Sequence, residues 1–200
     1  ELTFKYFGTH NNYAVIHNGA DINLINSVEK IKIDKYENIW SCASSWRPHK
    51  RLDENIRYFI EYSGPNDGLI VAGEVQERIK HDRIHYVGDL STEKLFSLYK
   101  ASKYFLHLAW LDHCPNVVVD AMACGCIIIC SNAGGTKEVA GDNAVIIEEN
   151  EWDYKPVELY NPPPMDFNNK IKNVWHQNND YDMRSVSKKY YNFINGGING

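Results

Sequence analysis

The feature that most constrains the fold of this chain is an alternation of short apolar segments with amphipathic ones. Residues 69–72, 104–109 and 126–131 are mostly apolar. Elsewhere, Leu52 and Ile56 recur at the spacing of a helix face, and Phe59 continues it. Strands that are apolar on both faces, separated by such helices, are typical of a parallel sheet with helices on each side. We therefore predict an α/β fold, a single doubly wound Rossmann-like domain with a mainly parallel sheet.

The same pattern predicts the individual elements and the extent of the domain. The predicted strands are residues 13–17, 38–44, 69–72, 84–87, 104–109, 126–131 and 144–147. The predicted helices begin near Leu52, Ser91 and Pro115 and also cover residues 136–140, 166–177 and 182–193. We expect a lead-in at residues 1–12, the main domain at 13–164, C-terminal helices packing on it at 165–194, and a flexible tail at 195–200.

Composition and charge exclude several classes of protein. Hydrophobic residues at 44% and charged residues at 24% are ordinary globular values, which excludes disordered and fibrous chains. The net charge of −5 argues against general binding to nucleic acid or to an anionic membrane, because both need a basic surface. The longest apolar stretch, at residues 126–130, is too short to span a bilayer. We expect neither a nucleic-acid partner nor a transmembrane segment.

Cysteine usage bears on the compartment of the protein. The chain has five cysteines, an odd number, and Cys124, Cys126 and Cys130 crowd one segment. This argues against a secreted disulfide framework and favours a reducing, cytoplasmic location. The chain begins with Glu1 rather than Met, from which we expect a piece excised from a longer protein.

Two carboxylates flank a predicted helix start. Asp112 precedes the helix, Pro115 lies in its first turn and Asp120 lies within it. Free N–H groups at a helix N-terminus bind phosphate, and carboxylates accept hydrogen bonds from sugar hydroxyls. The segment therefore suits a ligand that combines phosphates with sugar hydroxyls. The alternative is a simple helix cap at Asp112 and a solvated Asp120.

A basic loop and a glycine pair also follow predicted strands, at the sheet edge where such folds bind ligands. Arg47, Lys50 and Arg51 can neutralise a diphosphate and its growing charge as a leaving group, or they can form a solvated loop. Gly134 and Gly135 can let a ligand approach the backbone, or they can simply form a turn.

Other chemistries have less support. Cys124, Cys126 and Cys130 with His113 have the residue types of a metal site, but two of these cysteines lie in an apolar strand and are expected to pack in the core. The chain has no Gly-x-Ser-x-Gly elbow, no Walker loop and no Gly-x-Gly-x-x-Gly at a helix start. We expect no metal and no cofactor.

Taken in order, these motifs resemble the C-terminal, donor-binding half of a retaining GT-B glycosyltransferase of family four, the group 1 type. The resemblance runs from about residue 13 to 148. The segments that carry it are residues 15–21, 46–51, 70–74, 87–90, 112–125 and 131–138. It implies a donor that is a nucleotide-diphosphate sugar, linked to UDP, GDP or ADP.

The resemblance also implies a role for each matching residue. Arg47 and Lys50 match the catalytic basic pair that holds the donor diphosphate, with Arg51 close by. Asp112 matches the catalytic acid near the transferred sugar, and Asp120 matches the acid that binds the ribose. The remaining matches are the backbone amides of Asn116 and Val117 for the phosphates, Val87 and Leu90 for the base pocket, and Gly73, Gly134, Gly135 and Glu138 for the glycine loops.

The chain departs from the family pattern in two respects. Asp112 and Asp120 stand where the family has glutamates, and the resemblance includes no counterpart of the N-terminal acceptor domain with its histidine, which we expect to be missing from this chain. We therefore expect a metal-independent donor half that works with an acceptor domain in the same or a partner chain, through which it can also associate with a membrane. One alternative is a regulatory subunit or other non-catalytic module that binds a nucleotide sugar. The other is a different GT-B-like enzyme that acts on nucleotide sugars, such as an epimerase.

Overall fold

The computed structural model describes residues 5, 7–9, 13–150, 152–172 and 180–196. Its strands are β1 (Ile39–Ala43), β2 (Gly68–Ala72), β3 (Ile84–Gly88), β4 (Tyr104–His107), β5 (Ile127–Ser131), β6 (Val145–Ile147) and β7 (Lys170–Lys172). Within the described residues they form one sheet in the order β3-β2-β1-β4-β5-β6-β7. Neighbouring strands pair in parallel, except that β7 runs antiparallel to β6. The predicted sheet is therefore confirmed.

Helices cover both faces of this sheet. They are α1 (Ile22–Ser27), α2 (Leu52–Tyr62), α3 (Thr92–Ala101), α4 (Asn116–Ala123), α5 (Thr136–Val139) and α6 (Met183–Ile194), and a short 3₁₀ turn covers Pro48–Lys50. Phe105 and Ile128 pack in one core cluster with α3 and α4. The next residues along their strands, Leu106 and Ile129, pack in a second cluster with α2. Because successive strand residues point to opposite faces, the two clusters define the two layers of a doubly wound domain.

The first predicted strand, at residues 13–17, is wrong. These residues form no regular secondary structure, and Tyr13 and Val15 are exposed. An apolar run does not reveal whether a neighbouring strand is available, and here the segment lies outside the sheet. It is followed instead by α1, which the sequence analysis missed, where the Asp21 carboxylate caps the helix by accepting the Leu24 N–H at 3.0 Å.

The predicted helix at residues 166–177 is also wrong where the structure describes it. Residues 170–172 are β7, while residues 173–177 lie outside the described part of the chain. Met165 and Phe167 are buried against the face of the sheet that carries α2, and they anchor the segment in an extended path. The region 165–194 therefore contributes a strand to the sheet as well as the predicted helix near residues 182–193, which is confirmed as α6. None of the described helices has the length and apolar character that crossing a bilayer requires.

A buried carboxylate ties the loop before β2 to β1, and it yields a test of the fold. Asp67 accepts hydrogen bonds from Asn38 Nδ2 at 2.7 Å, from Trp40 Nε1 at 3.0 Å and from the Gly64 N–H at 3.0 Å. Burial alone would raise the pKa of Asp67, but these hydrogen bonds outweigh it and lower that pKa below its ordinary value.

We predict that Asp67→Ala lowers the free energy of unfolding by about 2–4 kcal/mol, because it leaves buried donors without an acceptor. Denaturant unfolding measures this, and Asp82→Ala, at an exposed aspartate, is the matched control with a change of about 0.5 kcal/mol or less. Since folding lowers the pKa of Asp67, the ionised carboxylate stabilises the fold at neutral pH. This stabilisation is lost as the pH falls through the lowered pKa. Equal effects of the two substitutions would contradict the prediction.

Candidate functional site

The candidate site lies where the strand order of the sheet reverses. β1 and β4 are neighbours, and the helices that follow them, α2 and α4, pack on opposite faces. The loops that leave the carboxyl ends of two such strands diverge and open a crevice, where doubly wound folds bind ligands. Here these loops are residues 44–51 and 108–115. They touch where the Trp110 N–H donates to the His49 carbonyl at 2.8 Å.

Lys50, His107 and Asp112 meet in this crevice. Lys50 Nζ donates to Asp112 Oδ2, and His107 Nε2 lies 2.9 Å from the same oxygen. The 3₁₀ turn places Lys50, while His107 is the last residue of β4 and Asp112 follows in the loop beyond. The Lys50 and Asp112 side chains remain 17% and 16% exposed, whereas that of His107 is only 4% exposed. The structure thus brings together two predicted catalytic residues on top of a buried histidine.

The cluster has a defined charge state at neutral pH. Burial alone would raise the pKa of Asp112, but the hydrogen bonds from His107 and Lys50 outweigh it and hold that pKa well below its ordinary value. Burial lowers the pKa of His107 more than Asp112 raises it. Burial and the neighbouring Lys50 also lower the pKa of His49. The cluster therefore consists of one carboxylate, one ammonium group and two neutral imidazoles.

Arg47 adds an uncompensated positive charge. It is exposed, and within the described part of the chain its guanidinium makes no hydrogen bond or ion pair. It lies two residues before His49 in the loop of residues 44–51, and its positive charge contributes to the lowered pKa of His49. A planar guanidinium in this position is available to an anion with paired oxygens, such as a phosphate.

Arg51 is placed differently from our expectation. Its guanidinium donates to both carboxylate oxygens of Glu149, at 2.9 and 2.8 Å, and to the carbonyl oxygens of Leu108 and Pro163. The side chain is only 2% exposed. The fork that a phosphate needs is already occupied, so the expectation that Arg51 holds the diphosphate is wrong. Arg51 instead fastens the loop after β1 to the segments that follow β4 and β6.

The start of α4 offers backbone donors beside the crevice. No side chain caps this helix at Pro115, and within the described residues the N–H groups of Asn116 and Val117 have no hydrogen-bond partner. Such groups carry the positive end of the helix dipole and bind anions. Asn18 Nδ2 donates to Asn116 Oδ1 at 2.7 Å, so the structure brings the predicted segment 15–21 to this helix start.

Asp120 is the second carboxylate of the predicted pair. It is half-buried in α4, and within the described residues its carboxylate accepts no hydrogen bond. Burial raises its pKa to about 6. A half-buried carboxylate without donors is under-satisfied, and two hydroxyls of a ribose would supply the missing hydrogen bonds.

The glycine pair allows two loops of the chain to touch. A Cβ on Gly134 would lie 2.5 Å from the Asp112 carbonyl oxygen, and one on Gly135 would lie 2.2 Å from that of His113. The Gly135 N–H also donates to the Asp112 carbonyl at 2.8 Å. The close approach that these glycines permit is therefore to the backbone of Asp112 and His113, and the hydrogen bond from Gly135 helps to hold Asp112 in place.

The other predicted residues surround this centre. Gly73, at φ +101°, lies against the Ser44 carbonyl and lets the loop after β2 contact the loop after β1. Glu138 lies 3.6 Å from His17 Nε2. The predicted base-pocket residues, Val87 in β3 and Leu90 just beyond it, are separated from β1 by β2 and do not join the cluster of Lys50 and Asp112.

Among the described residues, the cysteines and the carboxylates do not combine into a metal site. Cys126 and Cys130 are buried, and burial raises the pKa of the Cys130 thiol to about 12. In the part of the chain that the structure describes, no group of three or more His, Cys, Asp or Glu side chains is arranged to hold a metal ion. The role of these two cysteines is packing in the core.

Two residues that the geometry brings into the site, His107 and Glu149, are not among the predicted site residues. His107 stands in an otherwise apolar strand segment, five residues before Asp112, and this polar interruption is the only local signal. Glu149 follows β6, far from Arg51 in sequence, and nothing in the local pattern indicates that the two residues pair.

The sheet order and the crevice at its switch point define the class of doubly wound α/β domains that bind ligands beyond the carboxyl ends of their strands. Within this class, residues 25–154 match the family described as "Glycosyl transferases group 1". The chain belongs to this family.

Two curated relatives match parts of the chain. "O-antigen chain mannosyltransferase B" from Escherichia coli is 29% identical over 104 residues, which are 51% of this chain and 27% of the relative. A component of phosphatidylinositol N-acetylglucosaminyltransferase from Homo sapiens is 27% identical over 96 residues, which are 48% of this chain and 19% of the relative. The match thus spans about a quarter or less of the length of these proteins.

Solved glycosyltransferases share the fold. AviGT4, a glycosyltransferase involved in avilamycin A biosynthesis, aligns with a TM-score of 0.64 at 14% identity over 100% of this chain and 63% of its own. Anabaena Alr3699/HepE, in complex with UDP-glucose, aligns with a TM-score of 0.57 at 19% identity over 74% of this chain and 47% of its own. The C-terminal domain of the group 1 protein LpcC from Francisella tularensis aligns with a TM-score of 0.53 at 16% identity over 66% of this chain and 82% of its own. The predicted fold, the C-terminal half of a GT-B glycosyltransferase, is confirmed.

The two arginines of the basic loop should respond differently to substitution. We predict that Arg51→Met lowers the free energy of unfolding by about 3–5 kcal/mol, because it leaves the buried Glu149 carboxylate unpaired. Arg47→Met, at an exposed guanidinium, is the matched control and changes it by about 0.5 kcal/mol or less. Denaturant unfolding of both variants measures the difference. A stable Arg51→Met variant would mean that Arg51 does not fasten these loops.

Proposed function

We propose that the chain binds a nucleotide-diphosphate sugar and serves as the donor half of a retaining glycosyltransferase in the cytoplasm. The acceptor domain lies in another part of the same protein or in a partner chain. One observation carries the proposal: the ion pair of Lys50 and Asp112 joins the loop that carries the exposed Arg47 to the loop that leads into the uncapped start of α4. Membership of the family, the transferase names of both relatives and the UDP-glucose complex of HepE support it.

The cations of the crevice supply the phosphate chemistry in this proposal. Arg47 and the free N–H groups of Asn116 and Val117 bind the diphosphate oxygens. Lys50, on its flexible stem, turns from Asp112 to a phosphate when the donor arrives. These groups neutralise the charge that grows on the leaving diphosphate, so the reaction needs no metal ion.

The proposed transfer is a front-face displacement. The bond between the anomeric carbon and the diphosphate oxygen breaks, and its electron pair leaves with the diphosphate. The acceptor hydroxyl forms the new bond from the same face, which retains the configuration, and its proton passes to the leaving diphosphate oxygen. Asp112 accepts a hydrogen bond from the transferred sugar, while Asp120 binds the ribose hydroxyls and Val87 and Leu90 line the base.

A non-catalytic binding module is the second candidate function. It is favoured by the aspartates that replace both glutamates of the family pattern at positions 112 and 120. Both candidates require a working donor site. They differ in turnover. A non-catalytic module transfers no sugar even when the acceptor domain is supplied, and Asp112→Glu in the completed protein does not restore transfer.

We predict that the chain binds one of the nucleoside diphosphates UDP, GDP and ADP in clear preference to the other two. Isothermal titration calorimetry of the three diphosphates and of their sugar conjugates measures this. Arg47→Ala should weaken every one of them about tenfold or more, since it removes a charge-assisted hydrogen bond to phosphate. No heat of binding from a folded sample of the chain would contradict the proposed donor site.

We predict that Asp120→Asn weakens the preferred nucleoside diphosphate about tenfold or more and leaves inorganic pyrophosphate unchanged, because only the first carries ribose hydroxyls. Arg47→Ala is the matched variant that weakens both ligands alike. The pKa of Asp120 is raised to about 6. As the pH drops below 6, the difference in nucleoside diphosphate affinity between the original chain and Asp120→Asn should therefore shrink. Comparing the two chains at each pH cancels the protonation of the phosphates themselves.

The stability of Asp120→Asn can be predicted separately from its affinity for ligands. Because folding raises the pKa of Asp120 to about 6, the free energy of unfolding falls as the pH rises from the ordinary aspartate range to 6 and stays at this lower level above it. Asp120→Asn should therefore be at least as stable as the original chain at pH 7. Equal losses of pyrophosphate and nucleoside diphosphate affinity in this folded variant would exclude the ribose role.

A further inference from the structure

His107 is a buried side chain that none of the proposed steps of donor binding uses. It ends β4, where it pairs in register with Cys130 of β5, and its side chain is 4% exposed. Its ring lies nearly parallel to that of Phe105, with 12° between the planes and 6.4 Å between the centroids. The sheet and this contact leave the ring little freedom, so its Nε2 is a fixed point at the floor of the crevice.

The chemistry of the partner fixes the protonation of this ring. Burial lowers the pKa of His107, so the imidazole is neutral at neutral pH and carries one N–H. Asp112 is ionised and only accepts hydrogen bonds. The contact of 2.9 Å between His107 Nε2 and Asp112 Oδ2 therefore requires the proton on Nε2, which donates to the carboxylate.

The two oxygens of the Asp112 carboxylate are used unequally. Oδ2 accepts from both His107 and Lys50. Within the described residues, Oδ1 accepts no hydrogen bond from the chain, although the carboxylate is 16% exposed at the crevice. One oxygen is therefore anchored by the protein, and the other has free acceptor capacity.

We propose that His107 is a positioning residue, which holds Asp112 by Oδ2 so that Oδ1 accepts a hydroxyl of the donor sugar. This inference rests on the proposed function of the chain. The hydrogen bond from His107 remains when Lys50 turns to a phosphate, because the imidazole is buried in the sheet. A neutral donor also leaves the full negative charge on Asp112, whereas a cation in the same place would cancel it.

The test compares three variants with the original chain. His107→Leu removes the donor, His107→Gln keeps an N–H donor on a side chain of similar reach, and His85→Leu in β3 is the control. Calorimetry gives the affinity for UDP-glucose relative to UDP, with GDP-mannose against GDP and ADP-glucose against ADP as parallel pairs. Because the two ligands of a pair also differ in the charge of the terminal phosphate, the change in this ratio from the original chain to a variant is what reports the contacts made to the sugar.

We expect the ratio to fall about tenfold in His107→Leu, the loss from one misdirected hydrogen bond, and to recover in His107→Gln. The ratio in His85→Leu should equal that of the original chain. A merely structural histidine would weaken the diphosphate and its sugar conjugate alike. An unchanged ratio in His107→Leu therefore overturns the proposal.

A second measurement, on the ligand-free chain, separates this proposal from the proposed function. Carbon-13 NMR of the Asp112 carboxyl should show it ionised throughout the acidic range in which the chain stays folded. In His107→Leu its pKa should rise, and His107→Gln should reverse part of that rise. If no nucleotide binds the original chain, the proposed function fails and the NMR result decides the positioning role. An Asp112 pKa that is the same in His107→Leu overturns that role.

Discussion

The parallel pairing of β1 with β4 is the constraint on which the candidate site depends. Only two residue pairs, Trp40 with Tyr104 and Ser41 with Phe105, define this register. They bring the loop that carries Lys50 beside the loop that carries Asp112, although the two residues are 62 positions apart in the chain. Because the following helices pack on opposite faces, the two loops separate beyond their contact and leave a crevice rather than a closed turn.

The charge distribution of the crevice follows from the different burial of two arginines in the same loop, Arg47 and Arg51. Arg51 points into the protein and is neutralised by Glu149, which fixes the framework. Arg47 is exposed and keeps its charge available, while Lys50 forms a partly exposed ion pair with Asp112. One basic loop thus carries both a buried structural anchor, Arg51, and an exposed cation, Arg47, and the direction of each side chain decides which of the two it is.

The sequence was sufficient for most of the central sheet because the buried strands are apolar runs, and a helix such as α2 shows a helical spacing of its apolar residues. It was insufficient at the ends. The exposed run at residues 13–17 resembles a buried strand locally, and residues 170–172 join the sheet through a pairing with β6 that no local period reveals. Asp112 and Asp120 stand out as candidate ligands in the sequence because a helix start with flanking carboxylates is a local pattern.

Local residue patterns thus establish the α/β class, the order of the central elements and the segments that carry the site, since periodicity and turn chemistry act over neighbouring residues. They cannot establish which side chains meet across the sheet. The partnership of Arg51 with Glu149 and the support of Asp112 by His107 and Lys50 depend on strand order and on burial. Both arise only when distant segments pack together, because charges and hydrogen bonds act through space and not along the chain.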